Sequence, residues 1–173
     1  MNSLGYISED DKCYGATGVA ISIMVYDCDE LLSAVSLDAA PDSMIELANE
    51  FYFTSRTLSP ADSWKQMLQR FNITTAMTLG NAMCRSMVYH HKPLEPALRT
   101  RLHDIVAEEG HDVCALEDDE IERIFDKIYN SLYRVFNHRG VQEVAGDFAD
   151  TLKRVRRMTR MEVVEQLRAL RML

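Results

Sequence analysis

Residues 118–137, DDEIERIFDKIYNSLYRVFN, decide the fold class. Ile121, Ile124, Phe125, Ile128, Leu132, Val135 and Phe136 recur at intervals of three and four, which puts them on one stripe of an α-helix. Asp118, Asp119 and Glu120 stand at the end where the helix dipole favours negative charge, and Gly140 reads as the stop. A helix with one apolar stripe must bury it against another element, so the chain on either side has to supply partners.

Downstream, Val141, Val144, Ala145, Phe148, Leu152 and Val155 repeat the same period. Thr159 and Glu162 have the spacing of a capping box, which predicts a break and a last helix with Val163, Leu167 and Leu170 inward. Upstream, Pro96 opens a helix that uses Leu98, Leu102, Ile105 and Val106 and stops at Gly110. Before it, Asn72 caps a helix running to about His91, ahead of Pro93, with Ile73, Ala76, Met77, Gly80, Met83, Cys84 and Met87 on one face. Its small residues Ala76 and Gly80 allow a neighbouring helix to come close. Ser59-Pro60-Ala61-Asp62 starts a further helix with an N-cap serine, proline in the first turn and an early acid, directing Trp64, Leu68 and Phe71 inward.

The first part of the chain reads differently. Residues 1–15 are polar, contain two glycines and show no period, which predicts a mobile arm. Val19, Ile21, Ile23 and Val25 then alternate with Ala20, Ser22, Met24 and Tyr26, the pattern of a β-strand. Asp27 to Glu30 form a turn, and Ser33, Val35 and Leu37 continue the alternation as a hairpin partner. Residues 31–37 and 44–53 also fit short helices, because Leu31, Leu32 and Val35, and likewise Met44, Ile45, Ala48 and Tyr52, keep a helical interval. The expected fold is therefore α+β, mainly α. A β-hairpin or small antiparallel sheet within 16–57 precedes a bundle of about five or six helices in 58–173, the whole of 16–173 forming one domain.

With 173 residues and 47% hydrophobic content the chain can bury a core without covalent staples. Cys13, Cys28, Cys84 and Cys114 are widely spaced and form no Cys-x-x-Cys pair, which reads as free thiols in a reducing compartment. The N-terminus lacks the basic, then apolar, pattern of a signal peptide, and Val19 to Tyr26 is too short to span a bilayer. A cytoplasmic location is the expectation. The charge is divided unevenly: residues 151–173 carry seven Lys and Arg against Glu162 and Glu165, a net of +5, which leaves −13 for the rest of a chain whose total is −8.

That division makes Lys153, Arg154, Arg156, Arg157 and Arg160 the candidate interaction surface. The favoured reading docks them on the acidic stretch from Asp104 to Asp126, in the same chain or in a second copy. A second reading places them on nucleic-acid phosphates, although the tail offers no aromatic residue to stack on bases and the acidic body would repel a polyanion. A third lays the basic amphipathic helix in a partner's groove or on an anionic membrane, where it lacks aromatic anchors.

Signals of chemistry are sparse. Glu108 and His111 have a metal-ligand interval, with Cys114 nearby and His90, His91 and His103 as further donors, but there is one copy of the motif and Gly110 falls inside it. No metal site follows from that. No Gly-x-Ser-x-Gly elbow or His-Glu-x-x-His is present, and Gly15-Ala16-Thr17-Gly18 precedes the expected strand instead of following one, so it reads as a turn and not a phosphate loop. Glu108, Glu109 and Asp112, and the acids from Glu117 to Glu122, have the composition of a solvated face. Met77, Met83 and Met87 read as core, with a deformable binding surface as the rarer use.

No catalytic residue, cofactor or metal ligand is therefore assigned. The function expected is a non-enzymatic protein-interaction or assembly module that self-associates or binds an acidic protein. The alternatives are a small nucleic-acid-binding regulator using residues 153–160 and, behind it, a metal-dependent enzyme using Glu108 and His111.

Overall fold

In the computed structural model, which describes residues 5–52 and 59–172, helix α1 (Glu9–Val25) runs through the centre of the molecule. Every residue from Gly15 to Met24 is buried, so this stretch of the helix has no solvent face. That is why the alternation of Val19, Ile21, Ile23 and Val25 misleads. In a segment buried all round, periodicity carries no information, and a continuous apolar run suits an interior helix as well as a strand. The strand expected there is replaced by helix, and the turn expected at Gly15–Gly18 lies within it. The mobile arm likewise does not extend to residues 9–15. Ser8 Oγ accepts the Asp11 N–H at 3.0 Å, and Glu9, Asp10 and Asp11 stand at the positive end of the helix dipole.

The small residues of α1 have a tertiary purpose. Helix α1 crosses α3 (Pro60–Met83) where Gly18 and Ser22 meet Gly80, and a Cβ on Gly18 or on Gly80 would overlap atoms of the facing helix. This is the close approach that Gly80 predicts. Helix α3 starts as expected, Ser59 Oγ accepting the Asp62 N–H at 3.2 Å, but it passes Asn72 without a break. It continues into a π-helical stretch, Cys84–Tyr89, and ends at His91, which has a φ of 52°. Phe71 is buried, whereas Trp64, expected inward, is 42% exposed.

The antiparallel sheet forms from other residues than 19–26. Strand β1 (Leu32–Ser36) lies at its centre between β2 (Ile45–Leu47) and β3 (Arg157–Thr159). Val35 pairs with Ile45 on one side and with Met158 on the other, with a register irregularity between Leu32 and Ala34. The ambiguity over 44–53 resolves into β2 followed by one helical turn, α2 (Asn49–Tyr52), residue 53 lying outside the described residues. The third strand comes from the basic C-terminal segment, so the sheet joins the two ends of the chain.

Helix α4 (Pro96–Cys114) runs past Gly110, which serves proximity here and not termination. A Cβ at Gly110 would come 2.9 Å from Ile121 of α5 (Asp118–Asn137). The actual stop is Ala115 in the left-handed region (φ 48°), with Leu116 N–H closing on Gly110 O at 3.1 Å. Helices α5 and α6 (Arg139–Val155) form where their stripes place them, although Gly140 lies in the first turn of α6 and α5 ends at Asn137. The Thr159–Glu162 capping box opens α7 (Arg160–Gln166) as expected, and Val163 and Leu167 are fully buried. Phe125, Phe136, Phe148, Leu102, Ile121 and Leu132 fill the core with α1. Among the described residues, no helix is long and apolar enough to cross a membrane.

Candidate functional site

Lys153 and Arg154 belong to the last turn of α6, Arg156 caps it with a φ of 69°, Arg157 is in β3 and Arg160 opens α7. Pairing of β3 with β1 lays this segment along the first half of the chain. Arg156 donates from Nε and Nη2 to Asp38 Oδ1 at 2.9 and 2.6 Å, and from Nη1 to Glu9 Oε1 at 2.8 Å. Lys153 pairs with Asp10, Arg157 with Glu46 at 2.7 Å, and Arg160 with Asp29 at 3.0 Å. Arg171 reaches the same Asp29 at 3.5 Å. Arg154 is exposed and makes no ion pair among the described residues.

The docking partner is therefore corrected. Within the chain the tail lies on Glu9, Asp10, Asp29, Asp38 and Glu46, and not on its own stretch from Asp104 to Asp126. That stretch has cations of its own: Asp126 pairs with Arg99 at 2.8 Å and Asp119 with Arg123 at 2.8 Å. Hydrogen bonds to Asp38 and Glu9 hold the Arg156 guanidinium charged beyond its usual range, and the bond to Asp10 does the same for Lys153.

The Glu108–His111 pair does lie on one helix, since α4 does not stop at Gly110. Both ring nitrogens of His111 are already engaged, Nδ1 with Leu116 O at 2.9 Å and Nε2 with Asp118 Oδ1 at 3.0 Å. The ring of His103 meets Phe125 edge-on with centroids 5.0 Å apart. Among the described residues no group of three or more His, Cys, Asp or Glu is arranged to hold a metal ion. All four cysteines are free and buried. Burial pushes the Cys13 thiol up to about 11 and raises Cys84, Cys28 and Cys114, which keeps sulfur in the unreactive thiol form.

Two arrangements have no counterpart in the sequence reading. The first is a buried ion pair. Asp11, fully buried, accepts from Arg85 Nε and Nη2, each at 2.6 Å, and from Ile7 N–H at 3.0 Å. Burial by itself would raise the Asp11 carboxyl; the Arg85 and Ile7 hydrogen bonds and the Arg85 charge outweigh it and leave the carboxyl below its ordinary value. Arg85 also bonds Gly5 O at 3.0 Å and lies 4.7 Å from the Tyr6 ring centroid, so it fastens the segment before α1 to the end of α3.

The second is a cavity of about 370 Å³ bounded by α1, α3, α4, β2, α2 and the turn Pro41–Ser43. Its walls are mainly apolar, from Val19, Met44, Ile45, Leu47, Phe51 and Met77, and a few polar groups converge on it. Tyr6 forms one wall. Asn81 Nδ2 donates to its hydroxyl at 2.7 Å, and the bare Cα of Gly15 makes room for its ring, since a Cβ there would lie 2.7 Å from Tyr6 Cε1. Asp42, Thr74, Thr78 and Glu109 complete the polar set. Glu109 is not part of a solvated face. It is half-buried, burial raises its carboxyl above the ordinary range, and it makes no hydrogen bond or ion pair among the described residues. The sequence does not show this site, because only Thr74, Met77, Thr78 and Asn81 of its lining share a helical spacing and the rest comes from separate parts of the chain. Compared with protein families, curated proteins and solved structures, the chain matches none.

Proposed function

We propose that this protein is a non-enzymatic interaction module whose specific contact is made through the cavity between α3, α4 and β2. The observation that carries this reading is the cavity itself. At about 370 Å³ it has the size, apolar walls and few converging polar groups typical of ligand sites. Support for binding over catalysis comes from the kind of polar group present. Thr74 Oγ1 is spent on Arg70 O, the Tyr6 hydroxyl is paired with an amide, and no hydrogen-bonded nucleophile and base line the cavity among the described residues.

The narrower form of the reading, self-association through the basic tail, has less support, because the cations that would drive it already hold carboxylates of their own chain. The same pairs weaken the nucleic-acid alternative, since binding phosphates would require breaking them. The test is a fragment survey on protein carrying labelled methionine methyl groups, read by NMR. A cavity-binding module gives saturable shifts at Met44 and Met77 for some fragments while Met161, exposed and away from the cavity, stays still. Saturable binding that never moves Met44 or Met77 would overturn the reading, as would a complete survey without binding.

A further inference from the structure

Resting on the cavity reading, we infer that the ligand class is a small organic cation, an alkylammonium or quaternary ammonium compound. Three features of the lining point the same way. The acids Asp42 and Glu109 face the cavity, and among the described residues no Lys, Arg or His lines it. Tyr6, Phe51 and Tyr52 contribute aromatic rings, whose faces attract cations, and Met44 and Met77 add polarisable walls. Glu109 is a half-buried carboxylate with no hydrogen bond or ion pair among the described residues. A bound ammonium adds a countercharge directly beside this carboxylate.

Other classes fit less well. A carboxylate or phosphate ligand would meet two acids and, among the described residues, no cation in the lining. A neutral apolar ligand would fill the volume but move Glu109 still further from water, which is costly for a carboxylate. Two of these rings already hold a guanidinium over one face, Arg85 over Tyr6 at 4.7 Å and Arg70 over Phe51 at 6.0 Å, and Tyr52 is the lining ring with no such contact among the described residues.

The experiment compares choline with its neutral carbon isostere, 3,3-dimethylbutan-1-ol, by titration calorimetry and by the Met44 and Met77 methyl shifts. Choline is expected to move both methyls and to bind at least about tenfold more tightly than the isostere, a gap of the size a desolvated cation–π and carboxylate site provides. Glu109→Gln is expected to remove about that tenfold advantage. Asp42→Asn, at an exposed position where folding is not at stake, is expected to weaken choline by a smaller factor. Equal affinity for choline and the isostere, or choline affinity untouched by Glu109→Gln in a folded protein, overturns the cation inference and leaves the cavity reading standing. Failure of both probes to move the methyls, together with a blank fragment survey, overturns both.

Discussion

Two joints hold this molecule together, and they use the same chemistry in opposite surroundings. Where α1 meets α3, one guanidinium–carboxylate pair, Arg85–Asp11, is sealed in, with side-chain exposures of 15% and 0%. Where the C-terminal segment meets the sheet and the start of α1, Arg156 spans Asp38 and Glu9 with Lys153, Arg157 and Arg160 paired around it, and Asp38 is 64% exposed. The second joint has more ion pairs and the first has the stronger dependence on them. Water and salt screen an exposed pair until it contributes little, whereas a buried charge that loses its partner has nothing to replace it. What secures the C-terminal joint is apolar: Met158, Val163 and Leu167 go into the core beneath the charges.

Removing the sealed cation gives the largest effect expected. Arg85→Met leaves Asp11 buried and unpaired, and chemical denaturation should show a loss of about 3–5 kcal/mol at neutral pH. The loss should shrink in acid. In the intact protein the Asp11 carboxyl lies below its unfolded value of 3.8, so its contribution is present above that value and disappears as pH falls through the lower folded one. A variant with equal stability to the parent at pH 7 would end the contrast between the joints.

Next in size is the apolar part of the C-terminal joint. Leu167→Ala should cost about 2–5 kcal/mol, as buried leucine truncations do. Within the α1–α3 joint, Gly80→Ala should cost about 1–3 kcal/mol by overpacking against Ser22 and Gly18, with part of the loss recovered by adding Ser22→Ala. The smallest effect belongs to the most conspicuous charges. Arg156→Gln should lower stability only slightly, and that small loss should vanish in high salt, measured as the change in denaturation midpoint between low and molar salt. A larger, salt-resistant loss would show that the exposed joint is electrostatic after all.

The elements read correctly from the sequence are those whose causes lie within a few residues. The stripes of α5 and α6, the Ser59 and Thr159 caps and the proline starts at Pro60 and Pro96 each follow from neighbours along the chain. The misreadings share another property. From Gly15 to Met24 α1 has no exposed face to set a period, Gly110 is small because Ile121 packs against it, Gly140 lies in the first turn of α6, and Asn72 lies inside a helix long enough to override a local capping signal. The candidate site was legible only in part. The charge division marked Lys153, Arg156, Arg157 and Arg160 as cations that need acids, but not which acids. Glu109 and Tyr6 gave no signal at all, because an acid in an acidic run and a tyrosine near a terminus look solvated until something folds over them.

By itself, then, the sequence determined a mainly helical α+β chain with a helix opening at Pro96, one over 118–137 and one carrying the stripe from Val141 to Val155, and a basic tail that draws acids to it. Hydrophobic period, capping chemistry and net charge are properties of short stretches and act before the chain is folded. Only the tertiary structure decided that residues 9–25 are a central helix, that 157–159 complete a sheet begun at 32–36, that Asp11 belongs to Arg85, and that distant segments enclose a cavity. Each of these depends on surfaces brought together from distant parts of the chain, where burial on all sides erases the local pattern and proximity chooses the partner.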